Sequence, residues 1–77
     1  MTNEDRKEKG KAALVAMNAR PLRTGGDFSA LYWLQTGNSS VDIYSLSVSS
    51  PSGYDLHRSL RVDDFFACNP DLAGLRV

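Results

Sequence analysis

The sequence predicts an α+β domain: an N-terminal helix, a three-stranded antiparallel meander and a short C-terminal helix. Three observations predict it. Up to Arg20, acidic and basic residues recur at helical spacing; from Phe28 to Val62 the apolar period falls to two, broken by two turn clusters; beyond Asp63 it lengthens again. Seventy-seven residues are enough for one domain near the small end of what folds alone.

The helix is expected over residues 1–20. Thr2 or Asn3 can cap it, and Glu4 and Asp5 lie in the first turn, where the helix dipole favours negative charge. Asp5 to Lys9 at i, i+4, with Glu4 to Lys7 and Glu8 to Lys11 at i, i+3, add a few tenths of a kcal/mol each. Gly10 interrupts the pattern, at a cost of up to about 1 kcal/mol against alanine. The apolar residues come late, at Ala13, Leu14 and Met17, so the front half is polar all round and is expected to fray. Pro21 disfavours helix at Arg20 and ends the element. Residues 21–27 read as a linker, in which Gly25-Gly26 leaves the backbone free to turn.

The sheet is expected over residues 28–62. Its first strand, from Phe28 to Gln35, is apolar on both faces: Phe28, Ala30, Tyr32 and Leu34 on one, Leu31 and Trp33 on the other. A domain this small is hard pressed to cover both faces. Leu31 and Trp33, with Tyr44 of the next strand, are therefore the candidate partner-binding residues, since aromatics anchor protein interfaces. The competing placement for Leu31 and Trp33 is a core position beneath the N-terminal helix, whose Leu14 and Met17 need a site. Thr36-Gly-Asn-Ser-Ser40 is turn chemistry leading to a second strand, Val41 to about Ser49. There Tyr44, Leu46 and Val48 share one parity while Val41 and Ile43 hold the other, so a bulge is expected near Ile43. Ser50-Pro-Ser-Gly53 makes the next turn. The third strand carries Tyr54, Leu56, Leu60 and Val62 on one face, interrupted by Arg58.

The tail, residues 63–77, changes period once more. Asp63 is read as the cap of a helix from Asp64 to about Cys68, which Asn69-Pro70 stops, with a further turn over Asp71–Leu75.

The net charge is zero, yet it is segregated: residues 1–23 carry +3 and residues 24–77 carry −3. Lys7, Lys11, Arg20 and Arg23 form a candidate basic arm, able to contact phosphates. The sheet segment, with no lysine or arginine between Thr24 and His57, argues against nucleic acid on the sheet itself, although Tyr32, Trp33 and Tyr44 are residues that can stack bases. Direct nucleic-acid binding through the arm is the alternative reading.

Catalysis is not expected. His57 and Cys68 are each the only residue of their kind, a strand histidine facing solvent and a small thiol after two phenylalanines, where burial is ordinary. A closed zinc site wants four ligands, and one cysteine and one histidine are too few; no metal or cofactor is expected. One cysteine cannot make an internal disulfide, and no leader or membrane-length apolar run is read, so a cytoplasmic setting is the expectation. In size and poverty of motif the chain resembles the small proteins by which phages and other mobile elements redirect host machinery. On that analogy the function expected is protein binding to a larger complex that handles nucleic acid, RNA polymerase or a CRISPR effector being the two to name.

Overall fold

The computed structural model describes residues 2–23 and 30–77. Its elements are α1 (Asn3–Ala16), β1 (Arg20–Arg23), β2 (Leu31–Thr36), β3 (Ser40–Leu46), β4 (Tyr54–Arg61) and α2 (Val62–Cys68), followed by a 3-10 turn over Pro70–Leu75. The fold is α+β. The strands form one antiparallel sheet in the order β1-β2-β3-β4, one strand more than the meander expected. Gly25, Gly26 and Phe28, assigned above to the linker and the first strand, lie outside the described residues.

The additional strand arises because α1 stops early. Its start is the expected one: Thr2 caps it, with the Asp5 N–H donating to Thr2 Oγ1 at 3.1 Å and the Thr2 N–H donating back to Asp5 Oδ2 at 3.3 Å, a reciprocal pair that satisfies two orphan donors. Its end is set by Asn18, which takes a left-handed φ of 69°. The Ala19 N–H then reaches the Leu14 carbonyl at 2.9 Å and the Asn18 N–H reaches that of Val15 at 3.0 Å. This is a Schellman closure with asparagine in the position glycine usually holds. The chain turns back before Pro21 is reached. Arg20–Arg23, read from sequence as helix end and linker, extends instead and pairs with β2 through Arg20↔Trp33, Pro21↔Tyr32 and Arg23↔Leu31. Proline is tolerated there because β1 is an edge strand, whose outward backbone positions need no ladder partner.

Each face of the sheet carries its own core. On one, Trp33, Val41 and Ile43 pack against Val62, Phe65 and Phe66, with Leu22, Leu31, Leu60 and Leu72 at the margin. On the other, Leu14 of α1 packs with Ala19, Ala30, Tyr32 and Leu46, flanked by Met17, Leu34, Tyr44 and Tyr54. The two apolar parities of β2 are thus both used, because α1 and α2 lie on opposite faces.

The front half of α1, expected to fray, is anchored on the connector between β3 and β4. Arg6 Nη1 donates to the Val48 carbonyl and Lys9 Nζ donates to the Pro51 carbonyl at 2.8 Å. Gly10 is buried against Gly53; a Cβ on Gly10 would lie 2.7 Å from the Gly53 carbonyl carbon. The residue that reads as an interruption of the helix is the point where helix and turn touch backbone to backbone.

The expected irregularity near Ile43 is present, with the additional residue on the partner strand. Ile43 is opposite Arg58 and Tyr44 is opposite Leu56, so His57 of β4 has no counterpart on β3. At the end of β4 the chain enters α2 directly. The cap position is Arg61 rather than Asp63, and no side chain caps the helix; Asp63 and Asp64 fall in its first turn. Val62, Phe65 and Phe66 form the buried stripe of α2. A stripe at that spacing puts position 68 on the other side, and Cys68, expected to be buried, is exposed.

Candidate protein interface

The three partner-binding candidates do not form one surface. Trp33 is only 2% exposed and sits in the core beneath α2, its ring 5.1 Å from that of Phe65 and 5.8 Å from that of Phe66, edge-on to the latter. Leu31 lies on the same face at the margin of that core. Tyr44 belongs to the opposite face, edge-on to Tyr54 at 5.6 Å. Neither the exposed patch nor the site beneath α1 describes Trp33. Its cover is α2, whose consecutive phenylalanines are the sequence signal for it.

The four basic candidates are spread over two elements. Lys7 and Lys11 are one turn apart on α1, and Lys11 Nζ lies 3.9 Å from Glu8 Oε1. Arg20 and Arg23 stand at the two ends of β1. The helix between them is docked on the sheet through Arg6, Lys9, Gly10 and Leu14, so it is part of the body rather than a projecting arm.

The two edges of the sheet differ. β1 is four residues long and contains Pro21, a short edge lacking one backbone donor. β4 runs for eight residues, contains no proline or lysine, and among the described residues pairs with β3 alone. Its central residues, Asp55 to Ser59, are all exposed, and Leu56 presents 57% of its surface to solvent. Such a strand offers a row of backbone donors and acceptors to any extended chain laid beside it.

Register decides which side chains flank that row. Opposed residues of an antiparallel pair share a face. Tyr44↔Leu56 therefore places Leu56 on the α1 side, while Ile43↔Arg58 and Ser45↔Asp55 place Arg58 and Asp55 together on the α2 side. In an unbroken strand residues 55 and 58 would point to opposite faces; the bulge at His57 brings them onto one. The sequence shows all four residues but not this juxtaposition, because the parity change depends on the partner strand.

Beside the edge, on the α1 side, Asp42 accepts from Ser59 Oγ at 2.8 Å and from the Tyr44 hydroxyl at 3.4 Å. Burial raises the Tyr44 pKa above its ordinary value of 10.0, and the Asp42 carboxylate, the hydrogen bond to it and Tyr54 push the same way. A tyrosinate there would face a negative neighbour.

A hollow of about 170 Å³ opens near the other edge between Asn18, Arg20, Trp33, Gln35, Leu75 and Val77. Pockets for small organic ligands usually run from about 300 Å³ upward. Among the described residues, no group of three histidine, cysteine, aspartate or glutamate side chains converges on a point where a metal ion would sit. No helix among the described residues is long and apolar enough to cross a membrane. The chain matches no family model, no curated protein and no solved structure.

Proposed function

We propose that the chain is a non-catalytic protein-interaction module whose working surface is the outer edge of β4. The observation that carries this reading is the eight-residue edge strand, open on one side among the described residues, with five consecutive exposed residues that include the large apolar side chain of Leu56. Strand addition supplies main-chain hydrogen bonds for affinity and alternate side chains for specificity, which an eight-residue edge can provide without a concave site. The target proposed is another polypeptide. A larger host complex such as RNA polymerase or a CRISPR effector comes first to test; its support is the size of the chain and its segregated charge. A cytosolic setting fits the single cysteine, which cannot close an internal disulfide.

The test is a capture experiment from nuclease-treated bacterial lysate, with an untagged copy of the chain co-expressed, comparing the tagged protein with its Leu56→Lys variant. Lysine at an edge discourages strand pairing while leaving a solvated surface position. A stoichiometric protein retained by the wild type and lost by the variant, at equal melting midpoint, supports the reading. Equal capture by both removes β4 from the function.

A further inference from the structure

We infer that the strand β4 receives is β4 of a second copy of this chain, a pairing that rests on the reading of β4 as an interface. The charges on the strand are self-complementary in one antiparallel register. Place a two-fold axis at Leu56, so that Leu56 opposes Leu56 of the second copy. Counting outward and passing over His57, which has no counterpart in the existing ladder either, Asp55 falls opposite Arg58 of the second copy, and Arg58 falls opposite its Asp55. Tyr54 then opposes Ser59 of the second copy.

Faces agree as well as positions. A two-fold perpendicular to the sheet keeps each side chain on its own side, so opposed residues must share a face within the monomer. Asp55 and Arg58 do so only because of the bulge, and both lie on the α2 side; Tyr54, Leu56 and Ser59 lie on the α1 side. A bulge often blunts an edge by twisting it away from a partner. In this strand it also aligns the one carboxylate and the one guanidinium of the exposed stretch Asp55–Ser59 for reciprocal pairing. The interface would be isologous, with two Asp55–Arg58 contacts and the exposed Leu56 buried against its own image. The product is a continuous eight-stranded sheet made of two four-stranded ones.

The experiment is sedimentation equilibrium of the full chain over a wide concentration range for the wild type, Asp55→Arg, Arg58→Asp and the double variant D55R/R58D. The wild type is expected to dimerise. Each single reversal turns two attractive contacts into repulsive ones and should weaken association roughly tenfold. The double variant restores both contacts and should recover wild-type association. Circular dichroism of all four checks that each is folded. A wild type that stays monomeric throughout overturns the inference, and so does a dimer that neither reversal weakens or that the double variant fails to restore. Capture by the Leu56→Lys pair then separates the two readings. A monomer that loses a different protein on that substitution still uses the edge for another chain, whereas one that loses nothing does not use it at all.

Discussion

Aromatic rings close the sheet beneath α2, whereas beneath α1 the sheet is closed by a helix resting on a glycine contact. On the first face Phe65 is 1% exposed and Trp33 2%, and the rings of Trp33, Phe65 and Phe66 meet pairwise within 6 Å. On the second, Leu14 is the fully buried side chain that α1 contributes, and Val15, its neighbour in sequence, is 64% exposed. The helix is fixed as much by Gly10 on Gly53, by the Arg6 and Lys9 bonds to carbonyls and by its Schellman end as by apolar area. One layer therefore depends on side-chain volume and the other on backbone shape. Substitutions of opposite kinds should damage them.

Trp33→Ala is the largest test. Truncating a buried tryptophan leaves a cavity beneath α2 and should cost about 3–5 kcal/mol. Chemical denaturation measures this directly; a loss under 1 kcal/mol would mean the aromatic layer does not hold the fold. Gly10→Ala comes next, and here two principles oppose each other. Helix propensity alone predicts a gain approaching 1 kcal/mol. The Cβ, however, would meet the Gly53 backbone, and overpacking of that kind should reverse the sign to a loss of about 1–3 kcal/mol. A rise in stability would show that α1 is not seated on the turn. The smallest effect belongs to Tyr44→Phe and is read from the slope of stability in alkali. Because the folded state holds the Tyr44 proton more tightly than the unfolded chain, stability is intact below pH 10 and falls as pH climbs through the raised folded value. The variant should lose stability less steeply over that window. Melts from pH 9 upward read the difference, and parallel curves would remove Tyr44 from the linkage.

What could be read from residues follows local chemistry. The helix start at Thr2, the turns at Thr36–Ser40 and Ser50–Gly53 and the stop at Asn69-Pro70 are each written in a few neighbouring side chains. The candidate surface is less legible. Leu31 and Trp33 stand out in the sequence because two apolar parities exceed what one small sheet is expected to cover, and the seven-residue α2 is a short element to serve as the cover for one of them. Leu56 does not stand out, since on a strand it reads as an ordinary core position, and the one-sided pairing of β4 among the described residues leaves it exposed.

The sequence by itself determined the α+β class, the order of helix, sheet and helix, and the segregation of charge, because periodicity, capping and turn chemistry act over a few residues. Tertiary structure decided that Arg20–Arg23 is a strand, that Gly10 is a contact and that Asp55 and Arg58 share a face. Each of these depends on a segment distant in sequence, β2, the turn at Gly53 and β3 respectively. A strand's neighbours, and therefore its open edge, are properties of the assembled sheet that no short stretch of chain carries.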